Sequence, residues 1–212
     1  MPISARRPVS ASRGRPALNR EDADVYRRLI RAGLAHLTEK GYSAVSLDEI
    51  LQAAAAPKGS FYHYFRSKAD FGSRLIAAYD EYFVGKLEGC LSNEALSPLE
   101  RLRAFTADAE RGMERHGFRR GCLVGNLGQE MGALPEPFRD QLVRILQGWQ
   151  ERTARCLQLA RDRGELGAHH SPEALAAYFW IGWEGAVLRA KLERRAEPLH
   201  IFSDIFFRSL HP

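Results

Sequence analysis

The sequence predicts an all-α protein. Three observations point there. Apolar residues recur at helical spacing, Ser and Gly stand where helix caps belong, and prolines open one segment after another. No stretch alternates convincingly as a strand, and no internal repeat is visible.

The first predicted helix covers residues 22–40. Ile30, Gly33, Leu34 and Leu37 follow i, i+3, i+4, i+7, and Gly41 supplies a left-handed stop. Ser46 with Glu49 three residues on is a capping box. It opens a helix whose Leu47, Ile50 and Leu51 face inward. Ala53 to Pro57 makes a turn, and Pro57 suits a helix start. Lys58 to Phe65 is a short helix, and Ser67 caps another that runs to about Cys90. Further helices are predicted over 98–116, 121–131, 137–164, 172–195 and 199–210, with Pro98, Pro135, Pro172 and Pro198 at their starts.

An apolar content of 45% in 212 residues supports a real core. No apolar run approaches the ~18–20 residues of a membrane span, so no membrane partner is expected. The basic N-terminus has no apolar stretch and does not read as a secretory signal. Three well-separated cysteines, Cys90, Cys122 and Cys156, argue against a disulfide framework and for a reducing cytoplasm. Cysteine spacing offers no zinc site, and His169 and His170, being adjacent, point in different directions. No metal or other cofactor is expected. The net charge of +5 lies in residues 1–20, which hold five arginines and no acid, leaving 26 bases and 26 acids in the rest. Such an arm suits an anionic polymer, though solvated tails are also common at termini.

"KGSFYHYF", residues 58–65, sets a cluster of rings behind a Lys, a Gly and a Ser. The capped helix from about 47, the small-residue turn and this second helix make a helix-turn-helix, braced by 22–40. In that motif the start of the second helix enters the DNA major groove. Phe61 and Phe65, at i and i+4, point into a small core. Lys58, Ser60, Tyr62, His63 and Tyr64 are left to meet phosphates and base edges. Gly59 lets the backbone come close to the sugar-phosphate chain, and Lys68 adds a cation. The competing reading is a packed helix face; the cap, turn and flanking lysines favour DNA.

Residues 45–71, "VSLDEILQAAAAPKGSFYHYFRSKADF", resemble the DNA-binding signature of the TetR family of bacterial repressors. The resemblance implies a homodimer, a palindromic double-stranded DNA operator and release by a small-molecule inducer. By motif position it makes Ser46, Leu47, Lys58, Gly59, Ser60, Tyr62, His63, Tyr64 and Lys68 the DNA contacts. It divides the chain into a basic arm (1–20), a DNA-binding domain (21–67) and a helical ligand and dimerisation domain (68–212). Two positions depart from the family pattern. The turn is Ala54-Ala55-Ala56 where a Gly is usual, and Pro57 replaces a capping Ser or Thr. "RGRP" resembles the core of an AT-hook, so Arg13 and Arg15 are assigned to the minor groove as an auxiliary arm.

Residues 116–139 and 180–193 resemble a subgroup of these regulators that respond to acryloyl or reactive carbonyl compounds, and the likeness covers about 28 to 200. It implies acrylate as inducer and pairs Lys191 with a reactive cysteine. Cys122 follows Arg119-Arg120-Gly121 at a predicted helix N-terminus, where cations and the helix dipole favour thiolate. A buried structural cysteine fits equally. Trp180, Trp183 and Glu184 could wall a pocket or form plain core. A carboxylate ligand needs a cation, from Arg119, Arg120, Arg189 or Lys191, and Asn126 and Gln129 could add polar contacts. Leu175, Phe179, Gly182 and Ala186 form a stripe expected at a dimer interface built from 137–164 and 172–195; intramolecular packing is the alternative. An enzyme using Cys122 with His116 as base lacks a visible orienting residue. A constitutive DNA-binding protein would not need so long a C-terminal domain.

Overall fold

The computed structural model describes residues 20–210, and the basic arm with Arg13 and Arg15 lies outside them. Nine helices and no strand occur among the described residues: α1 (Arg20–Lys40), α2 (Leu47–Ala53), α3 (Lys58–Tyr64), α4 (Lys68–Leu91), α5 (Pro98–Glu114), α6 (Leu123–Gln129), α7 (Pro137–Asp162), α8 (Pro172–Glu193) and α9 (Glu197–Arg208).

Helices α1 to α3 form a small module around Leu29, Ile50, Leu51, Phe61 and Phe65, all buried, with Phe71 of α4 closing its base. The chemistry of the sequence places each boundary. Gly41 ends α1 at φ +84, a backbone that side chains rarely tolerate. Ser46 accepts from the Glu49 N–H while the Glu49 carboxylate accepts from Ser46 N–H at 2.8 Å. The Lys40 ammonium and the Ser46 hydrogen bonds hold that carboxyl down to about 2. Pro57 caps α3 with no side-chain hydrogen bond. Ser67 caps α4 through Asp70 N–H.

The turn between α2 and α3 carries strain. Ala55 adopts φ +47, in the left-handed region. Arg28 braces it by donating to the carbonyls of Ala54 (2.8 Å) and Ala55 (3.0 Å). A left-handed Ala costs about 1–2 kcal/mol, and the added chain entropy of a Gly offsets about half of that. Ala55→Gly is therefore expected to raise stability by roughly 0.5–1 kcal/mol. Urea unfolding should show a higher midpoint at unchanged slope; an equal or lower midpoint would mean that Ala55 is not strained.

The remaining helices pack as a second body. Helix α7 lies along α8, α8 along α9, and α4 and α5 close the other side. Their core is a continuous set of rings. Phe83 stacks on Trp149 at 4.1 Å, Trp149 meets Trp180 at 5.0 Å, and Phe179 faces Trp183 at 6.0 Å. The buried indole N–H groups are satisfied: Trp149 donates to Asp80 (2.9 Å) and Trp180 to Thr153 (3.0 Å). Short α6 touches α1, α4, α7 and α8, and so sits between the two bodies. No helix among the described residues is long and apolar enough to cross a membrane.

Candidate functional site

The exposed face of the first module gathers most of the residues that motif position singled out. Lys58, Gly59, Tyr62 and His63 are exposed on α3, with Ser46 exposed at the start of α2. Tyr62 is 56% exposed, its ring held edge-on to buried Phe61 at 5.4 Å. Open space surrounds Gly59, so another molecule's backbone can approach there. Lys58 pairs with Asp48 at 3.6 Å, an exposed pair weak enough to exchange for phosphate. Helix α3 thus presents a cation, hydroxyls and an imidazole on one ridge.

Three expected contacts are placed differently. The Lys68 ammonium turns inward, donating to the Tyr42 carbonyl (3.0 Å) and the Val45 carbonyl and lying over the Tyr42 ring. It is a cation at the N-terminus of α4, spent on fixing the loop that leads into α2. Leu47 packs against the core. Tyr64 is half-buried against Tyr26 at 5.7 Å. Consecutive rings on a helix cannot all face outward, since each step turns about 100°.

Between the second body and α1 lies a cavity of about 350 Å³, within the range of small-molecule sites. Helix α4 contributes Tyr79, Tyr82, Phe83 and Lys86, and α8 contributes Trp183, Glu184 and Val187. Arg31 and Thr38 enter from α1, and Arg115, His116, Arg120 and Cys122 from the segment between α5 and α6. Lys86 is already neutralised by Asp108 at 2.7 Å. Arg31, Arg115 and Arg120 form no ion pair among the described residues.

At the cavity's inner wall lies a linked set of three groups. Cys122, Tyr79 and Glu184 line the cavity together, Glu184 and Cys122 both beside Gly125, and the Cys122 sulfur accepts from the Gly125 N–H at 3.5 Å as the N-cap of α6. Glu184 lies over Gly125, where any Cβ would collide with its carboxyl group. Burial pushes the Glu184 carboxyl up to about 7. Burial, then the Glu184 charge, push the Cys122 thiol well above its ordinary value, and burial raises Tyr79 likewise. The expected thiolate is therefore not favoured. Arg119, one of the expected cations, instead pairs with Glu39 at 3.0 Å. Cys156 is buried with its thiol on the Pro98 carbonyl at 3.2 Å, and half-buried Cys90 packs against the core.

A second cluster joins α6 to α1. Asn126 donates to the carbonyls of Leu37 (3.2 Å) and Thr38 (2.9 Å). Lys191 donates to the Thr38 carbonyl (3.2 Å) and to Asn126 (3.3 Å). It caps the C-terminal end of α1 with positive charge, and among the described residues it bonds to Thr38 and Asn126 rather than to Cys122. Glu130, just past α6, accepts from the backbone N–H groups of Tyr42 (2.9 Å) and Ser43 (2.8 Å). Gly41 has no room for a side chain because this carboxylate fills it.

Of the expected ligand residues, Arg120, Cys122, Trp183 and Glu184 line the cavity. Asn126 and Lys191 belong to the seam with α1, Trp180 to the core, and Gln129 and Arg119 to the surface. Sequence reading missed Tyr79, Tyr82, Phe83, Lys86 and Arg31 at the cavity, and Glu130 at the seam. The expected dimer stripe also packs inward: Phe179 and Ala186 are buried, Leu175 packs on the core, and Phe202 fills the space at Gly182. The exposed apolar residues of α8 are instead Tyr178, Ile181, Leu188 and Leu192, joined by Ile201 and Ile205 of α9. Arg189, Glu193, Arg195 and Glu197 pair beside them as a charged border.

Comparison with known proteins extends this picture. The profile for bacterial regulatory proteins of the tetR family matches residues 29–73, and that for the tetracyclin repressor-like C-terminal domain matches 98–206. The chain is 61% identical to the transcriptional regulator AcuR of Cereibacter sphaeroides, over 95% of this chain and 92% of that protein. It is 30% identical to the HTH-type transcriptional repressor NemR of Escherichia coli (strain K12), over 83% and 88%. The crystal structure of regulatory protein TetR from Rhodobacter sphaeroides aligns with a TM-score of 0.86 at 64% identity, covering 87% of this chain and 97% of that one. The reduced form of E. coli NemR aligns with a TM-score of 0.77 at 28% identity, covering 89% and 97%.

Proposed function

The chain belongs to the TetR family of bacterial regulatory proteins, and we propose that it is a homodimeric transcriptional repressor that leaves a palindromic operator when a small acryloyl compound, acrylate foremost, enters its cavity. The observation that carries this reading is the placement of α6. Its N-cap, Cys122, borders the cavity, its middle holds the end of α1 through Asn126, and Glu130 beyond it holds the loop before α2. A ligand that shifts the Cys122 end moves a rod attached at two points to the DNA module.

The cation set of Arg31, Arg115 and Arg120 suits a carboxylate, which cannot be buried cheaply alone. Acrylate itself comes from the likeness of residues 116–139 and 180–193 to acryloyl-responsive regulators, and the cavity accommodates it. The ligand acts by favouring a different spacing of the two recognition helices. Moving the operator from 99% bound to 1% requires a preference of about 5.5 kcal/mol. Binding is reversible in this reading, because Cys122 is held as a thiol and the negative carboxylate makes acrylate a poor electrophile. Covalent addition of Cys122 to the alkene is the second reading, motivated by its place on the cavity wall.

The test uses a DNA fragment selected by the wild-type protein from a random library. Tyr62→Ala is expected to weaken binding by about 1–3 kcal/mol in fluorescence anisotropy. Acrylate is expected to release the wild type and Cys122→Ser alike, with no mass adduct. Unchanged affinity in Tyr62→Ala, with Lys58→Ala added, would remove α3 from the interface. Loss of release in Cys122→Ser with an adduct on the wild type would establish the covalent route. If acrylate and related acryloyl compounds release neither protein, the inducer assignment fails.

A further inference from the structure

Glu184 is unusual among the groups that line the cavity. It is an acid on a wall that the proposed inducer, an anion, has to share. Its carboxyl group lies against Gly125, next to Cys122, and it forms no ion pair with any cation among the described residues. The groups packed around it do not compensate. From α4 come Tyr79 and Tyr82, which have phenolic protons, and Lys86, which Asp108 of α5 already engages. From the α6 N-cap comes Cys122, itself protonated. Arg31, Arg115 and Arg120 line the same cavity, and none of them forms an ion pair with Glu184 among the described residues. Gly125 makes room for it, since the carboxyl group occupies the volume that a Cβ would take.

An ionised Glu184 and a ligand carboxylate in one small cavity repel each other, as two carboxylates sharing a site do. A protonated Glu184 instead offers an O–H donor to a ligand oxygen, and the charge-assisted bond from acid to carboxylate is among the stronger hydrogen bonds. We propose that a small carboxylate ligand enters this cavity together with one proton, which Glu184 carries and donates as a hydrogen bond to the ligand's acyl oxygen. This rests on the reading of the cavity as the inducer site. The proton comes from solvent, and no covalent bond forms or breaks.

The sign follows from linkage. Burial, the largest cause, brings the Glu184 carboxyl up to about 7, and a bound anion displaces it further upward. Binding therefore takes up a proton wherever the unliganded group is ionised. Affinity is full below about pH 7 and falls as pH rises through the interval between the two values, by up to about tenfold per unit. His116 also lines the cavity, with its basicity lowered by burial and by Arg120 and Arg115. Its titration pushes affinity in the same direction, so it has to be separated from that of Glu184.

Titration calorimetry with sodium acrylate, in two buffers of different ionisation heat, counts protons taken up per ligand between pH 6 and 8. The wild type is expected to take up a growing fraction of a proton toward pH 8. Glu184→Gln, a near-isosteric stand-in for the neutral acid, should bind acrylate with the Glu184 part of the pH dependence gone and little uptake. His116→Asn should keep the uptake. Equal uptake in Glu184→Gln, or its loss in His116→Asn, overturns the proposal while leaving the inducer site intact. No heat and no binding of acrylate to the wild type at any pH overturns both readings together.

Discussion

Replacing Ile181 and Leu192 together by aspartate should yield a folded monomer that has lost at least a hundredfold in DNA affinity. Both residues are highly exposed, at 73% and 69%, on the same stripe of α8, with Ile201 and Ile205 of α9 beside it. Tyr178, Ile181, Gly185, Leu188 and Leu192 recur at the 3, 4, 3, 4 spacing of a helix-packing seam. An apolar stripe bordered by paired charges has the anatomy of an interface core with a polar rim. Burying an Ile or Leu contributes roughly 1.5–3 kcal/mol, and two-fold symmetry makes each substitution count twice. Each Asp also adds a charge that would lie unpaired between the copies. The monomer has only one recognition helix for a two-part operator, and losing the second contact removes a factor on the order of 10²–10⁴. Light scattering gives the mass, anisotropy the affinity, and circular dichroism confirms that the chain is still folded. A dimer that persists in this variant would move the interface off α8 and α9.

The same face shows where sequence reading stops. The nine helices among the described residues were legible because their ends are chemical: capping Ser46 and Ser67, Gly41 in the left-handed region, and Pro98 and Pro172 at first turns. The inward side of α8 was not legible. That helix carries apolar residues on nearly all sides, so its periodicity cannot distinguish the stripe facing Phe202 from the stripe facing out. Only the position of α9 decides.

Electrostatics of the site were read from neighbours in sequence, and the fold substitutes neighbours in space. Arg119 and Arg120 precede Cys122 and suggest a thiolate, yet Arg119 is spent on Glu39 and α8 brings Glu184 against the sulfur. The cavity itself draws one wall each from α1, α4, α5 and α8. Tyr79, Tyr82, Phe83 and Lys86 sit at i, i+3, i+4, i+7, which from one helix is indistinguishable from a core stripe. Glu130 was invisible for a similar reason: its partners, Tyr42 and Ser43, are backbone N–H groups that carry no side-chain signal and lie 88 and 87 residues away.

Glu130 and Asn126 also supply the test of how the two bodies communicate. Glu130→Ala combined with Asn126→Ala should give a protein that binds DNA and acrylate but no longer couples them. The substitutions cut two hydrogen bonds to the loop before α2 and two to the end of α1, while Lys191 keeps its bond to the Thr38 carbonyl. Water reaches exposed Ser43, so the stability cost should stay near 1–3 kcal/mol. The cavity wall of Cys122, Glu184 and Tyr79 is untouched, and ligand affinity should change by less than about threefold, equivalent to ~0.7 kcal/mol. What should collapse is the ligand's effect on DNA. A coupling of 1–3 kcal/mol corresponds to about 5–150-fold, and the double variant should fall below that range. Reciprocity adds a second readout: DNA should weaken acrylate binding to the wild type by the same factor as acrylate weakens DNA binding, and the two factors should shrink together in the variant. Release of the variant by acrylate at wild-type strength would mean that the signal bypasses α6 and passes directly along α4, whose first residue, Lys68, already grips the carbonyls of Tyr42 and Val45.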